Sequence, residues 1–238
     1  MISDVTRHAG RLQEAPNLLD PVRLAVLVVA WLALAGVLIG FGELVVHTEG
    51  IQRFDDHVTS VVVAHRSTGL DRAMKAVTWL GSWFALAVTA GVVLLLVLRR
   101  RLAVGFLFVA LIVWGGTQGG TTLAKNVVQR PRPPEQLRLV STHGWSWPSG
   151  HSATATVVFT VLAAVVWTLW PSAGPRLLAA LASLIAVAAV AFSRVELGVH
   201  WSTDVFASVV FVAAWLVVAG FLYRSALTHG SRGTSVTV

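Results

Sequence analysis

The sequence predicts an all-α integral membrane protein in which six transmembrane helices pack as a helical bundle, and three observations support this fold class. Of the 238 residues, 55% are hydrophobic and only 12% are charged, and the mean hydropathy is +0.74. Six uncharged apolar runs each approach the ~20 residues that a helix needs to cross the hydrocarbon core. Several of the intervening loops are short and basic. Backbone groups inside lipid must be satisfied within their own segment, which favours helices.

The six predicted spans are 24–41, 76–98, 102–123, 153–170, 177–192 and 205–223. A mixed polar segment precedes the first span, where a secretory signal would show a short basic start, so we expect this span to be retained. The fifth span is the shortest, because the charged residues Arg194 and Glu196 follow it closely. Nothing indicates a second domain. We predict a single domain over residues 1–238, with an N-terminal segment 1–21 and a C-terminal tail 224–238.

The loop between spans one and two carries apolar residues at helical spacing: Phe54, Val58, Val61, Val62 and His65. This pattern predicts a short amphipathic helix. Two interpretations remain open at this stage. The helix lies in the membrane interface, or it packs on the bundle as an ordinary loop helix.

Basic residues predict the orientation. The arginine triplet 99–101 joins spans two and three, and Arg224 and Arg232 follow span six, which indicates the cytoplasmic side of a cytoplasmic membrane. Both termini are then cytoplasmic, and loops one, three and five face outward. Loop three breaks the rule by placing four cations outside: Lys125, Arg130, Arg132 and Arg138. Cations clustered against an orientation rule indicate an anion-binding role.

Three polar segments adjoin the apolar spans, and the predicted topology brings all three to the same membrane face. They are KNVVQRPRP at 125–133, PSGH at 148–151 and SRVELGVHWSTD at 193–204. Lys125, Arg132 and Arg194 can surround one phosphate group, because arginine offers a planar fork and lysine a compact charge. Ser149 and Gly150 directly precede the fourth span, where free N–H groups and the positive end of a helix dipole favour an anion.

Two histidines and a carboxylate complete this set. His200 and Asp204 are four residues apart, which places them on one helical face. A carboxylate there accepts from one imidazole nitrogen and leaves the other free for nucleophilic attack. His151 can then protonate the leaving oxygen. Phosphoryl transfer depends mainly on positioning and charge stabilisation, so this set supplies the chemistry without a metal or another cofactor.

The three segments resemble the tripartite signature of the type-2 phosphatidic acid phosphatase superfamily, which also includes vanadium haloperoxidases and glucose-6-phosphatase. Every signature position is present in order and at the expected spacing. The resemblance implies that Lys125, Arg132 and Arg194 bind phosphate with help from Ser149 and Gly150. It further implies that His151 is the general acid, that His200 forms a phosphohistidine, and that Asp204 orients His200.

By the same resemblance, the expected activity is that of a bacterial membrane lipid phosphatase. Its active site would lie on the extracytoplasmic face, and its substrate would be undecaprenyl diphosphate, phosphatidylglycerol phosphate or phosphatidic acid. The bilayer and this lipid phosphate are the expected partners, and nucleic acid is not expected despite the net charge of +7. The sequence does not indicate an oligomeric state.

Several alternatives compete with these assignments. Arg130 and Arg138 are interpreted as solvated or lipid-facing cations. A zinc site is a minor alternative, built from His143, His151, His200, Glu196 and Asp204. The pairs Gly115-Gly116 and Gly119-Gly120 are interpreted as close helix packing in preference to a phosphate cradle.

The absence of cysteine excludes disulfides and cysteine nucleophiles. A non-catalytic lipid-phosphate binding protein or flippase, and a vanadate-dependent haloperoxidase-like enzyme, are the alternative functions.

Overall fold

The computed structural model describes residues 20–230, with side chains as far as Ser225, and within this range the chain forms eight α-helices and no strand. The predicted segments 1–21 and 224–238 therefore lie partly outside the described residues. The helices are α1 Pro21–His47, α2 Glu49–Ala64, α3 Thr68–Val77, α4 Trp83–Leu98, α5 Val104–Val128, α6 Gly150–Leu169, α7 Ala173–Glu196 and α8 Ser202–Gly230. Two 3₁₀ turns, Thr78–Gly81 and Glu135–Leu137, interrupt the connections. The all-α prediction is confirmed.

Five of these helices are long and apolar enough to cross a membrane: α1, α5, α6, α7 and α8. The segment Thr68–Gly81 and α4 together count as a sixth span if the bent pair is a single crossing. The six-span prediction is confirmed in that form. An uninterrupted second span over 76–98 is wrong, because the two parts meet at an angle of 45°. The break occurs where Ser82 is extended and its hydroxyl caps α4 by accepting from the amide of Ala85.

The fifth span is longer than predicted. Helix α7 has 24 residues and includes both Arg194 and Glu196, which were expected to follow the span. Both side chains are buried, and each faces a polar partner: Arg194 donates to the hydroxyl of Thr78, and the Glu196 carboxylate lies 3.9 Å from Arg66. The helix continues through these charged residues because polar side chains of other segments bind them in the folded bundle.

Helix α6 lies at the centre of the bundle and makes its most extensive contact with α7. Its buried residues Ala153, Val157, Val161 and Val165 recur every four positions, which forms a continuous apolar stripe. Glycines on α5 allow close approach of the neighbouring helices. A side chain at Gly116 would overlap Trp215, and one at Gly120 would overlap Phe211, both on α8. The close-packing interpretation is confirmed for Gly116 and Gly120, whereas Gly115 meets no atom within 4 Å.

Helix α2 combines features of both interpretations left open by its sequence. It packs on the bundle through a polar face, where Asp55 and Thr59 are buried. Its apolar residues Phe54 and Val61 are exposed on the opposite side. The structure thus shows α2 packed on the bundle, with an exposed apolar face of the kind that suits lipid contact.

The two ends of the bundle differ in charge. Helix α1 begins beside the end of α8, where Arg23 donates to the carbonyl of Ser225. Helix α5 spans about 37 Å and separates the arginine triplet 99–101 at one end from Lys125 at the other. The segments 129–149 and 197–201 meet at the Lys125 end, where the amide of Leu139 donates to Leu197. The three polar segments therefore converge at the end opposite the arginine triplet.

Candidate active site

Asp204 organises the start of helix α8. Its Oδ2 accepts from the amide of Trp201 at 3.0 Å, as the third residue of a capping box does. The same oxygen accepts from Nδ1 of His200 at 3.2 Å and from the hydroxyl of Ser146. Its Oδ1 accepts from Arg130 at 2.6 Å. One fully buried carboxylate thus starts the helix and orients the imidazole.

The hydrogen bonds of His200 determine its tautomer. Nδ1 donates to Asp204, and Nε2 lies 3.1 Å from a guanidinium nitrogen of Arg132, which can only donate. Nε2 therefore carries a lone pair directed toward a cation. The pKa of His200 is lowered to about 3, mainly by burial, with Arg132 and Lys125 acting in the same direction and Asp204 opposing them. The imidazole is therefore neutral at neutral pH, as a nucleophile requires.

Two of the predicted phosphate ligands are held by backbone carbonyls. Lys125 lies in the last turn of α5 and donates to the carbonyls of Trp145 at 2.9 Å and Pro148 at 2.7 Å. Arg132 donates to the carbonyls of Gly144 at 2.9 Å and Val199 at 2.6 Å. Burial lowers the pKa of the Arg132 guanidinium from its usual value. These acceptors are neutral, so a phosphate dianion entering here would be a stronger acceptor for the same donors.

Helix α6 begins at the motif Pro148–His151. Ser149 is its N-cap, and the Ser149 hydroxyl accepts from the amide of Ser152, while the Ser149 amide donates to the carbonyl of Asp204 at 3.2 Å. The Ser149 side chain is therefore buried in the cap. Gly150 is the first helical residue, and a Cβ built there meets no atom within 4 Å. The open space at this helix start is suited to an anion.

The third cation and the second histidine lie in the same cluster. Arg194 is buried in the last turn of α7, and its Nε has no hydrogen-bond partner among the described residues. Its carbonyl accepts from the amides of Val199 and His200, which fixes the backbone of His200 relative to α7. The charge of Arg132 is close enough to interact electrostatically with both Lys125 and Arg194. All three cations are also close enough to His151 to interact with its imidazole. The structure therefore brings all eight predicted site residues together.

The interpretation of Arg130 as a solvated or lipid-facing cation is wrong. Only 5% of Arg130 is exposed, and the guanidinium lies between the carboxylates of Asp55 and Asp204. Arg138 is half-buried and donates to the carbonyl of Pro133, so it also has a defined partner. Sequence reasoning missed Arg130 because the residues that surround it are distant in the chain.

Four further residues around the site were also missed: Asp55, Thr78, Gly81 and Ser146. Asp55 and Ser146 contact the Arg130–Asp204 cluster, while Thr78 accepts from Arg194. A Cβ at Gly81 would lie 2.6 Å from the carbonyl of His151. The sequence feature that could have indicated Asp55 is the polar face of α2, because such a face is unusual on a helix that packs on an apolar bundle.

The side chains of the zinc alternative do not form a metal site in the described part of the chain. Within residues 20–225, no three His, Asp or Glu side chains are grouped as metal ligands. Glu196, whose role the sequence left open, is fully buried between Arg66 and the side chain of Asp71.

Comparison with known proteins gives consistent matches. The family model of the PAP2 superfamily matches residues 102–227. Phosphatidylglycerophosphatase B of Bacillus subtilis (strain 168) is 32% identical over 163 residues, covering 67% of this chain and 78% of that protein.

Two crystal structures are also similar. The transmembrane PAP2 type phosphatidylglycerolphosphate phosphatase from Bacillus subtilis superposes with a TM-score of 0.67 at 26% identity, covering 82% of this chain and 93% of that one. Aquifex aeolicus LpxE superposes with a TM-score of 0.57 at 20% identity, covering 69% and 93% of the two chains, which is a likeness of fold.

Proposed function

This chain belongs to the PAP2 superfamily and is a multi-pass membrane phosphatase, and we propose that it dephosphorylates a lipid through a phosphohistidine formed on His200. One observation supports this proposal most strongly. The Nδ1 atom of His200 is held by Asp204 at 3.2 Å, and Nε2 points to Arg132, a predicted phosphate ligand. The arrangement aims the lone pair of a neutral imidazole at the position of the phosphate.

The first half of the proposed reaction forms the phosphohistidine. Lys125, Arg132 and Arg194 exchange their present partners for the phosphate oxygens, together with the N–H groups at the start of α6. The Nε2 lone pair forms a bond to phosphorus as the bond between phosphorus and the lipid oxygen breaks. His151 gives its proton to that oxygen, and Asp204 stabilises the positive charge that develops on the imidazole of His200.

The second half regenerates the enzyme. A water molecule attacks phosphorus, the bond between nitrogen and phosphorus breaks, and the electron pair returns to Nε2 of His200. His151 accepts the proton from the water as the phosphate forms, which restores its protonated state for the next cycle. Charge stabilisation by three cations replaces what a divalent metal supplies in many phosphotransfer sites, so the proposed reaction needs none.

The proposed substrate is a lipid phosphate whose headgroup reaches the membrane surface. The candidates are phosphatidylglycerol phosphate, phosphatidic acid and undecaprenyl diphosphate, and the name of the Bacillus subtilis relative supports the first of these. The site end of the bundle would face outward from the cytoplasmic membrane. The arginine triplet 99–101 at the opposite end supports that orientation.

The function is tested with the purified full-length chain in detergent. We expect phosphate release from at least one of the three lipids, resistance to excess chelator, and inhibition by vanadate, whose trigonal-bipyramidal form resembles the transition state. Activity lost in EDTA and restored by a divalent cation would contradict the metal-free mechanism. No release from any of the three lipids would contradict the substrate class.

The roles of the two histidines are separated by trapping the intermediate. The quench must be alkaline, because a bond between phosphorus and a histidine nitrogen hydrolyses in acid. His200→Ala should form no labelled phosphoenzyme. His151→Ala should retain measurable turnover of p-nitrophenyl phosphate, whose leaving group needs no proton. His143→Ala, which changes an exposed histidine of the same loop, is the matched control. A phosphoenzyme that persists in His200→Ala would overturn the assignment.

A further inference from the structure

A buried cluster behind the candidate nucleophile connects it to helix α2. Arg130 is the central member. One of its terminal nitrogens donates to Oδ1 of Asp204 at 2.6 Å and to the hydroxyl of Thr203 at 2.8 Å. The other donates to Oδ2 of Asp55 at 2.7 Å. The guanidinium also lies over the ring of Trp201, with 5.4 Å to the ring centroid.

These contacts separate Arg130 from the phosphate-binding cations. Both of its terminal nitrogens are engaged, and it approaches Asp204 at Oδ1, whereas His200 binds Oδ2. Arg130 therefore lies on the side of the carboxylate that faces away from the imidazole. Its position allows it to act on His200 only through Asp204.

Asp55 holds this arrangement from outside the three signature segments. Its Oδ1 accepts from the amide of Thr203 at 3.0 Å and from the hydroxyl of Ser202 at 2.5 Å, at the first turn of α8. Its Oδ2 accepts from the Thr203 hydroxyl and from Arg130. A carboxylate on α2 thus caps the helix that carries Asp204 and binds the cation that binds Asp204.

We propose that Asp55 and Arg130 are positioning residues for the reaction, and that Asp55 acts through Arg130 to set both the orientation of Asp204 and the negative charge available to His200. The proposal rests on the function proposed above. Asp55 and Asp204 share one cation, so the group of three carries a net charge of −1. That charge supports the positive imidazole that develops during attack on phosphorus.

The charge argument gives a specific expectation for Asp55→Asn. The amide is nearly isosteric with the carboxylate, but Arg130 would then neutralise Asp204 alone. The group becomes neutral, and the developing charge on His200 loses its support. We expect kcat to fall roughly 10- to 100-fold, by analogy with the outer partners that orient metal-ligating histidines. KM should stay within about twofold, because neither residue reaches the phosphate.

Two matched variants accompany this test. Asp56→Asn removes a carboxylate from the next position of the same helix, where the side chain is exposed, and should leave kcat unchanged. Ser202→Ala removes one hydrogen bond to Asp55 but no charge, and should lower kcat by less than about threefold. Phosphoenzyme formation in a single turnover and thermal unfolding are measured for every variant. A slow phosphorylation step in folded Asp55→Asn is the expected signature.

The outcomes distinguish this inference from the proposed function. A wild-type chain that releases no phosphate contradicts the function itself. An active wild type in which Asp55→Asn keeps kcat within twofold contradicts the inference, as does a raised KM at unchanged kcat. Activity lost only in proportion to the unfolded fraction also contradicts it, because that result indicates a purely structural role.

Arg130 variants keep the proposal testable if Asp55→Asn does not fold. Arg130→Lys retains a cation between the two carboxylates. Arg130→Gln leaves two buried carboxylates without a cation, so one of them should take up a proton, and Asp204 loses a donor that orients it. We expect Arg130→Lys to retain a kcat at least about fivefold above that of Arg130→Gln, at equal KM. Equal kcat values in the two variants would overturn the inference.

Discussion

At the scale of single residues, the site is organised by contacts that a substrate can replace. The donors of Lys125 and Arg132 go largely to backbone carbonyls, and the start of α6 leaves open space at Gly150. In contrast, the side-chain carboxylate of Asp204 accepts from four donors, none of which comes from the predicted phosphate ligands. The predicted nucleophile His200 is thus held by a carboxylate with several fixed donors, whereas the predicted phosphate ligands could exchange backbone carbonyls for a substrate.

The first prediction concerns the open space at the start of α6. Gly150→Ala should fold normally, because its Cβ meets no neighbouring atom and alanine favours helix. The methyl group would occupy the position from which a phosphate reaches the helix N–H groups, so kcat/KM should fall about 10- to 100-fold. Gly174→Ala, at the second residue of α7, is the matched control because its Cβ also meets nothing. Full activity in Gly150→Ala would exclude close approach of phosphate to this helix start.

The second prediction concerns the neutral state of His200. Its folded pKa is about 3 and the unfolded value is about 6.5. Between these values the unfolded chain binds a proton that the folded chain does not. The contribution of His200 to stability is therefore complete above pH 6.5 and is lost as the pH falls toward 3, by up to about 1.4 kcal/mol per pH unit.

Thermal unfolding between pH 7 and 5 measures this dependence. The wild-type midpoint should decrease on acidification more steeply than that of His200→Gln, which cannot take a proton. Comparing the two slopes cancels the contributions of the other histidines. Parallel slopes would show that His200 binds a proton equally in both states.

At the scale of elements, the break between α3 and α4 serves the site. The 3₁₀ turn Thr78–Gly81 packs against the start of α6, and Thr78 accepts from Arg194. An unbroken helix through this region would not direct Thr78 to the last turn of α7 while Gly81 rests on the backbone of His151. The bend thus places one span against two helix ends that carry candidate catalytic and binding residues.

The third prediction tests the packing of this turn. In Gly81→Ala the added Cβ would lie 2.6 Å from the carbonyl of His151 and 2.7 Å from Val190, so the backbone must shift. Overpacking of this kind costs about 1–3 kcal/mol of stability, and displacement of His151 should lower activity as well. Gly69→Ala in α3 is the control, because a Cβ there meets nothing. Thermal unfolding and phosphate release measure the two effects, and wild-type values for both in Gly81→Ala would contradict the described contact.

At the scale of the whole molecule, the bundle separates two functions of its cations. The site end holds cations that are buried or bonded to specific acceptors, which include Lys125, Arg132 and Arg194. The opposite end carries the exposed triplet 99–101. We expect the exposed triplet to act in orientation and the buried cations of the site end to act in binding, in which case the basic residues of loop three do not contradict the positive-inside rule.

The fourth prediction tests this orientation in cells. The chain has no cysteine, so single cysteines introduced at Thr142 and Arg100 are read without background. A reagent that cannot cross the membrane should label the cysteine at Thr142 in intact cells and the cysteine at Arg100 only after lysis. The opposite pattern would place the site on the cytoplasmic side and contradict the proposed outer-face activity.

The sequence by itself determined the helical class, the approximate spans and the three segments that form the site. These properties are local: a span is a contiguous apolar run, and each signature segment is contiguous. The order and charge of the loops also sufficed to bring the segments to one face. The structure brings Lys125, Arg132, His151 and His200 to one end of the bundle, which is consistent with the roles that the signature implies. Their chemical roles remain predictions.

Only the tertiary structure decided how the site is supported. Arg130 donates to Asp55, which is 75 positions away in the sequence. Asp55 accepts from the amide of Thr203, which is 148 positions away. The bend at Ser82 and the burial of Arg194 within α7 likewise depend on contacts between separate helices. Hydropathy and motif spacing describe neighbours along the chain, whereas the partner of a buried charge is selected by packing, because only a folded bundle can compensate for the loss of water around it.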